Sequence, residues 1–149
     1  MELILWRHAD AEDGMPDGER KLTAKGERQA ARMAKWLRPL LPDNALILVS
    51  PAKRAQQTAR ALKLDCKTAK EVGTGAGAED VLHACGWPKG GGTVVVVGHQ
   101  PTLGETAALL LTGAKQGWSL KKGAIAWIAR HADDKKGAQL RAWISPDLL

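Results

Sequence analysis

A run of five residues near the middle of the chain, a threonine followed by four valines at 93–97, restricts the fold more than any other feature. Branched side chains of this kind favour a strand, and successive side chains of a strand point to opposite faces of the sheet. Both faces of this strand are therefore apolar, which is typical of a strand at the centre of a sheet that helices cover on both sides. We predict an α/β fold with residues 93–97 as a central strand.

Two other short apolar runs, at 3–6 and 46–49, are predicted to be buried strands, and each is followed by a helical pattern. The first helix is predicted over 24–38, with Thr23 as its N-cap and Pro39 as the residue that ends it. Strands that alternate with helices indicate a mostly parallel sheet between two helical layers. The expected architecture is three-layer α/β/α.

Polar residues predict where two further helices begin. Ser50 is the predicted N-cap of the second helix, with Pro51 as its first residue. After the central strand, Thr102 and Glu105 form a predicted capping box for a helix that stops at Gly113.

The remaining segments are predicted from shorter patterns. Residues 66–70 form a weaker third strand, 73–77 a glycine-rich loop and 79–84 a short helix. Residues 124–130 and 138–144 both alternate apolar and polar side chains, with turn-forming residues between them. Those turn-forming residues are Asp133, Asp134 and Gly137. The two segments predict a hairpin, so the sheet is expected to have an antiparallel edge at its C-terminal end.

The length of 149 residues predicts one domain, 1–149, with a single core. No apolar run approaches the ~18 residues that span a membrane, and the N-terminus lacks the basic and then apolar pattern of a signal peptide. We therefore expect a soluble cytoplasmic protein with no membrane partner. Its two cysteines, Cys66 and Cys85, lack metal-ligand spacing and are expected to be buried or half-buried thiols.

The net charge of +6 is compatible with nucleic acid, with an acidic or phosphorylated partner, or with a solvated surface alone. The basic residues are spread along the chain, and the six tryptophans occur singly inside apolar patterns. This arrangement lacks the basic and aromatic series of a nucleic-acid binder, so we expect no nucleic-acid partner.

Histidines and arginines follow the predicted strands at equivalent places. Arg7 and His8 come directly after the first strand. Arg54 lies in the first turn of the helix after the second strand, and His99 follows the central strand. Ligands of open α/β sheets bind outside the carboxyl ends of the strands, where these side chains would converge if the strands are parallel neighbours. Two imidazoles, two guanidiniums and nearby helix N-termini suit a tetrahedral dianion such as a phosphoryl group.

These residues belong to short blocks that together resemble the histidine phosphatase superfamily, also called the phosphoglycerate mutase-like family. The blocks are Arg7-His8-Ala9, then Arg20-Lys21-Leu22-Thr23 with Gly26, then Ser50-Pro51 with Arg54-Ala55 and Gln57-Thr58, and lastly Gly98-His99 with Pro101. The match follows the expected order from Met1 to about Leu111 and departs from it at Ala9, where the wider family has glycine. The short length and the C-terminal hairpin resemble the SixA-type phosphohistidine phosphatases.

The resemblance implies a role for each matching residue. His8 would accept the phosphoryl group as a nucleophile, and His99 with Arg7 and Arg54 would form the phosphate pocket. Arg20 is either a further member of that pocket or a surface charge beside a helix. The implied reaction is in-line transfer to neutral His8 and then hydrolysis, with a protonated His99 and the arginines stabilising charge. Nearby arginines are expected to lower the pKa of His8.

An alkyl phosphate needs an acid to protonate its leaving oxygen, and larger members of the superfamily supply a carboxylate between the last two blocks. Here that stretch holds Glu71, Glu79 and Asp80, which we interpret as solvated charges. Asp10 offers no distinctive spacing either. A phosphohistidine substrate releases an imidazole, which is far less basic than an alkoxide and needs such an acid less. We therefore expect a phosphohistidine-containing protein as substrate, such as a histidine phosphotransfer domain, and phosphate or other oxyanions in the site, with no cofactor.

Other functions stay open. One is a general small-molecule phosphomonoesterase that uses Glu71 or Asp80 as its acid, and another is a non-catalytic module that binds phosphoproteins. A nucleotide-binding loop at Gly73, Gly75 and Gly77 lacks the required spacing and a following acidic residue. A phosphoglycerate mutase is disfavoured by the short chain, and a metal-dependent hydrolase by two arginines that would repel a cation.

Overall fold

The computed structural model describes residues 1–131 and 137–149. The strands are β1 (Glu2–Arg7), β2 (Leu46–Val49), β3 (Lys67–Thr68), β4 (Thr93–Gly98), β5 (Ile125–Arg130) and β6 (Ala138–Ile144). The α-helices are α1 (Ala24–Leu37), α2 (Lys53–Arg60), α3 (Ala78–Cys85) and α4 (Thr102–Thr112). Single 3₁₀ turns lie at Asp17–Glu19, Arg38–Leu40, Lys70–Val72 and Pro146–Leu148.

The strands form one sheet in the order β3-β2-β4-β1-β5-β6. The neighbours β3, β2, β4 and β1 are parallel, whereas β1 with β5 and β5 with β6 are antiparallel. All six residues of β4 are buried, because the strand has neighbours on both edges and helices over both faces. The prediction of a central strand at this position is confirmed, and so is the antiparallel C-terminal edge.

The sheet separates the two larger of three buried apolar clusters. Alternate valines of β4 separate accordingly: Val94 and Val96 belong to one cluster, Val95 and Val97 to the other. The first cluster includes side chains of α3 and α4, and the second includes side chains of α1 and α2. The expected three-layer α/β/α architecture is confirmed, and the alternation along β4 is its physical basis.

Helix α1 begins and ends almost where its sequence predicts. The Thr23 hydroxyl accepts a hydrogen bond from the backbone N–H of Gly26 at 2.9 Å, which makes it the N-cap. The α-helix ends at Leu37, one residue earlier than predicted, and Pro39 lies in the 3₁₀ turn that follows.

The predicted start of the second helix is wrong. Helix α2 begins at Lys53, with Ala52 as an N-cap that makes no side-chain hydrogen bond, and Pro51 lies in the preceding turn. The Ser50 hydroxyl accepts the Ala52 N–H at 3.2 Å, within the turn before the helix, and also lies 2.7 Å from Nε2 of His99, which follows the neighbouring strand β4. Ser50 is therefore at the strand end, with Pro51 and Ala52 between it and the first residue of the helix.

The predicted capping box on the fourth helix is also wrong, although the helix does end at Thr112, before Gly113. Pro101 is the N-cap, and the Thr102 hydroxyl donates to the carbonyl of Ala76 at 2.7 Å. The glycine-rich loop is thereby tied to the start of α4, and the Glu105 side chain is left free to face the cleft described below.

The C-terminal segments pair as a predicted hairpin, with Ile125 opposite Ile144 and Arg130 opposite Ala138. The predicted turn residues Asp133 and Asp134 lie outside the described residues. Cys85 is buried, but Cys66 is exposed because it precedes the two-residue edge strand β3, so the expectation of a shielded thiol there is wrong. None of the helices in the described part of the chain is long and apolar enough to cross a membrane.

Candidate active site

The ends of strands β1 and β4 bring two histidines together. Arg7 is opposite Gly98 in the parallel register, so His8 and His99 leave the sheet side by side at its carboxyl edge. Their ring centroids are 5.2 Å apart, and the His8 backbone N–H donates to the Gly98 carbonyl at 3.0 Å. The register of β1 and β4 therefore brings His8 and His99 together, as predicted.

A cleft of about 450 Å³ opens at this edge of the sheet. It is lined by all five residues singled out from the sequence: Arg7, His8, Arg20, Arg54 and His99. Among the described residues, the cleft is lined by three arginines and Lys122, which are cationic, and by two carboxylates. This excess of positive charge, in a concave site, favours an anionic ligand.

His8 is held in one tautomer by the backbone of the next residue. His8 is 7% exposed, and its Nδ1 lies 2.8 Å from the Ala9 carbonyl, which can only accept a hydrogen bond. Nδ1 therefore carries the proton, and Nε2 has a free electron pair, toward which Arg54 donates from Nε at 3.3 Å. The Ala9 N–H is itself fixed by the hydroxyl of Thr58 at 3.0 Å. A nitrogen nucleophile with an available electron pair is thus oriented next to a guanidinium.

His99 is oriented by Ser50. Nδ1 of His99 faces Nη2 of Arg54 at 3.5 Å, and because a guanidinium only donates, Nδ1 is the acceptor. The proton is therefore on Nε2, which donates to the Ser50 hydroxyl at 2.7 Å. Sequence reasoning missed this role of Ser50, and only its place at the end of the strand beside β4 could have indicated it.

Burial keeps both rings neutral. It lowers the pKa of His8 to about 3, with smaller contributions from His99, Arg54 and Arg7, and it lowers the pKa of His99 to about 4. The expected direction for His8 is correct, but burial contributes more than the arginines do. In the ligand-free protein burial and, next, Arg54 lower the pKa of His99, so its neutral form is favoured at neutral pH.

We expect these two rings to make the protein less stable in mild acid. Between about pH 6.5 and the folded-state pKa values the unfolded chain binds more protons, so the free energy of unfolding falls as pH decreases, by up to about 1.4 kcal/mol per pH unit for each ring. Above about pH 6.5 neither ring contributes. Urea denaturation of the wild type and of His99→Asn at a series of pH values measures this. The free energy of unfolding of the wild type should fall more steeply with decreasing pH than that of His99→Asn, and equal slopes would contradict the assigned cause.

Arg20 and Arg7 reach the cleft from different elements. Arg20 follows the turn Asp17–Glu19, and its Nη1 donates to the Glu12 carbonyl at 3.2 Å. Arg20 also lines the cleft, so its side chain lies where the predicted pocket role would require it. Arg7 donates from Nη1 to the Leu120 carbonyl at 2.9 Å, but its buried Nε has no acceptor among the described residues. A buried donor of this kind favours a ligand that supplies an oxygen.

The carboxylates considered as acids lie elsewhere. Glu71 is exposed on the turn Lys70–Val72, Glu79 pairs with Lys115, and Asp80 accepts from the N–H of Gly77 at 2.8 Å. Asp10 is held by Lys122 and Thr23, and these hydrogen bonds lower its pKa.

Among the described residues, the two carboxylates that do line the cleft are Asp13 and Glu105, which sequence reasoning did not select as acids. Glu105 lies six residues after His99 in the first turn of α4, and that proximity was the available signal. Within residues 1–131 and 137–149, no cluster of histidine, cysteine or acidic side chains is suited to hold a metal ion.

Comparison with known proteins defines the class. Residues 3–75 match the family described as histidine phosphatase superfamily (branch 1). The chain is 30% identical over 126 residues to phosphohistidine phosphatase SixA of Escherichia coli (strain K12), a match that covers 76% of each protein. The chain therefore belongs to the histidine phosphatase superfamily, and these findings support a phosphatase, a hydrolase that acts on phosphoryl groups.

Solved structures show which members of the superfamily have a similar fold. The protein histidine phosphatase SixA complexed with tungstate superimposes with a TM-score of 0.84 and 25% identity, over 99% of both chains. A putative phosphohistidine phosphatase SixA from Nakamurella multipartitia gives a TM-score of 0.76 and 30% identity, over 97% of this chain and 95% of that one. Within the superfamily, the fold is thus similar to that of the SixA proteins.

Proposed function

We propose that this protein removes the phosphoryl group from phosphohistidine on another protein, through a phosphohistidine intermediate on His8. The observation that carries the proposal is the state of His8: Nδ1 holds the proton against the Ala9 carbonyl, and Nε2 presents its electron pair to a cationic cleft. Such a substrate would give the protein a place in phosphotransfer signalling in the cytoplasm.

The first step transfers the phosphoryl group to His8. The other ring nitrogen of the substrate imidazole first takes up a proton from water. The bond between Nε2 and phosphorus then forms while the bond from phosphorus to the substrate imidazole breaks, and the electron pair of that bond leaves with a neutral imidazole. Arg54 exchanges its 3.3 Å contact with Nε2 of His8 for hydrogen bonds to the equatorial oxygens of the phosphoryl group. Arg7, with one guanidinium nitrogen lacking an acceptor, and Arg20 supply further donors.

The second step releases phosphate. A water oxygen attacks phosphorus and gives one proton to the solvent, the bond to Nε2 breaks, and its electron pair returns to the ring of His8, which keeps its Nδ1 proton and is neutral again. His99 is neutral before the substrate enters, but a bound dianion raises the pKa of a neighbouring imidazole and can bring a proton to its Nδ1. His99 would then stabilise the charge on the transferred group, with Ser50 holding its ring in place.

The preference for phosphohistidine rests on the leaving group. Glu71, Glu79, Asp80 and Asp10 do not line the cleft, so none of them can protonate an alkoxide there. An imidazole leaves without such help. The likeness to SixA proteins, one of them solved with a tungstate oxyanion, supports the same choice.

A second candidate is a phosphomonoesterase of small molecules with Glu105 as its acid. The observation in its favour is that the partly buried carboxylate of Glu105 lines the same cleft as His8. Under this alternative Glu105 would protonate an oxygen leaving group. Removing its carboxyl group would lower the hydrolysis rate most for the substrates with the most basic leaving groups.

We expect the purified chain to hydrolyse a phosphohistidine-bearing protein domain in the presence of a chelator. On aryl and alkyl phosphates, the rate should fall steeply as the leaving group becomes more basic, because under the proposed function no side chain of the cleft acts as an acid toward it. Glu105→Gln should leave this dependence unchanged. Comparable rates on aryl and alkyl phosphates, made steeper by Glu105→Gln, would favour the second candidate, and oxyanion binding without any turnover would favour a binding module.

A further inference from the structure

Residues 11–22 form a loop that covers one side of the cleft. Its base is closed by a bridge between Ala11 and Leu22 and by a hydrogen bond from the Glu12 N–H to the Lys21 carbonyl at 2.8 Å. Residues 12–19 are all exposed, and the turn Asp17–Glu19 contacts helix α2. The turn Asp17–Glu19 is therefore held against the cleft by a small number of polar contacts.

Asp17 makes those contacts to two arginines of the cleft. Its Oδ2 accepts from Nη2 of Arg54 at 3.1 Å, and its backbone carbonyl accepts from Nη1 of Arg54 at 2.9 Å. Its Oδ1 accepts from Nε of Arg20 at 3.1 Å. Both carboxylate oxygens are thus used, and these arginines hold the pKa of Asp17 below its usual range.

The two edges of the Arg54 guanidinium are engaged to different degrees. The outer edge, Nη1 and Nη2, is held by Asp17 at 2.9 and 3.1 Å. The inner edge, Nε and Nη2, faces Nε2 of His8 at 3.3 Å and Nδ1 of His99 at 3.5 Å, which are long contacts for a charged donor. The outer edge is therefore fixed, and the inner edge is ready to exchange two weak partners for oxyanion oxygens.

We infer that Asp17 is a positioning residue, which aims the guanidiniums of Arg54 and Arg20 at the phosphoryl group. The inference rests on the proposed phosphatase function and adds a residue to it. The Arg54 side chain is 4% exposed, so it has little access to water, and within the described part of the chain its ion pair with Asp17 is the one that fixes its rotation. Asp17 itself is 53% exposed and accepts only from the outer edge of the guanidinium, which leaves the inner edge to an oxyanion.

Simple electrostatics predicts the opposite effect, which makes the inference testable by sign. A carboxylate close to an anion site repels the anion, so removing a charge that only competes with phosphate should strengthen binding. Removing a charge that positions two arginines should weaken binding. Asp13 provides the matched control, since it lies on the same loop, lines the same cleft and forms no ion pair with any described residue.

The test is tungstate affinity and steady-state kinetics for Asp17→Asn, Asp17→Ala and the control Asp13→Asn. We expect Asp17→Asn to raise the tungstate Kd about tenfold and to lower kcat by about tenfold or more, with Asp17→Ala at least as impaired. Asp13→Asn should leave the Kd unchanged or lower it by about twofold, the electrostatic effect alone. Thermal unfolding identifies any variant whose loss comes from misfolding.

Each other outcome has a distinct meaning. An unchanged or lower tungstate Kd in Asp17→Asn, with kcat preserved, would overturn the inference and make Asp17 a competitor of the phosphoryl group. An active wild type with fully active Asp17 variants would overturn it while leaving the phosphatase intact. A wild type that neither binds tungstate nor turns over would remove the proposed function itself.

Discussion

Replacement of His8 by asparagine is expected to reduce turnover of a phosphohistidine-bearing protein to the background rate, a loss of about four orders of magnitude or more. Asparagine keeps an N–H donor where Nδ1 of His8 donates to the Ala9 carbonyl, so the local backbone should be preserved. It has no nitrogen with an available electron pair at the place of Nε2. The nucleophile is thus lost while the cationic cleft around it remains.

Three measurements separate loss of the nucleophile from loss of the fold. Tungstate binding should survive in His8→Asn, because the arginines are untouched. Rapid quenching of the wild type with labelled substrate should trap an acid-labile phosphoryl group on the chain, and His8→Asn should trap none. The matched control is His83→Asn, which alters an exposed histidine on α3 away from the cleft. Turnover by His8→Asn within about tenfold of the wild type, or label on another residue, would reject His8 as nucleophile.

The placement of the site was predictable because it depends on short-range sequence features. Four valines in succession determine which strand is central, and a residue that directly follows a strand must leave the sheet at its carboxyl edge. Once β1, β2 and β4 are parallel neighbours, Arg7, His8 and His99 meet regardless of the loops between them. The neutral state of His8 followed from the same cluster of charges, although burial proved to be its main cause.

Two helix starts were predicted wrongly, and in both the local pattern is compatible with more than one structure. A contact with a residue distant in sequence favours the structure that forms. The sequence Ser50-Pro51 is typical of a helix start, but the Ser50 hydroxyl forms a hydrogen bond with His99, 49 residues away. Thr102 suits a capping box, but its hydroxyl binds the Ala76 carbonyl, 26 residues away.

The roles of Asp17 and Glu105 were missed for a related reason. Each lies close in sequence to a predicted site residue, but neither has a spacing that distinguishes it from a solvated charge. Asp17 acquires its partners only when the loop at 11–22 closes against Arg54, 37 residues away. Glu105 faces the cleft only because the true N-cap of α4 is Pro101.

Substitution of Gly26 by alanine is expected to lower the free energy of unfolding by about 3 kcal/mol, although alanine in a helix ordinarily stabilises by about 1 kcal/mol relative to glycine. Gly26 lies in the first turn of α1 and packs against the backbone of Asp10, two residues after His8. An added Cβ would overlap the Asp10 carbonyl oxygen and lie 2.9 Å from its carbon. That carbonyl cannot simply rotate away, because it accepts the Thr23 N–H at 3.0 Å.

Relief of the overlap requires the start of α1 to move away from the segment that carries His8, so activity should fall together with stability. Urea denaturation measures the first effect, and kcat on a phosphohistidine-bearing protein measures the second. The matched control is Gly117→Ala, since a Cβ at Gly117 meets nothing within 4 Å and should change stability by less than about 0.5 kcal/mol. A Gly26→Ala protein as stable as the wild type would mean that helix propensity outweighs the contact. The close approach of α1 to the nucleophile segment would then not be a constraint on this fold.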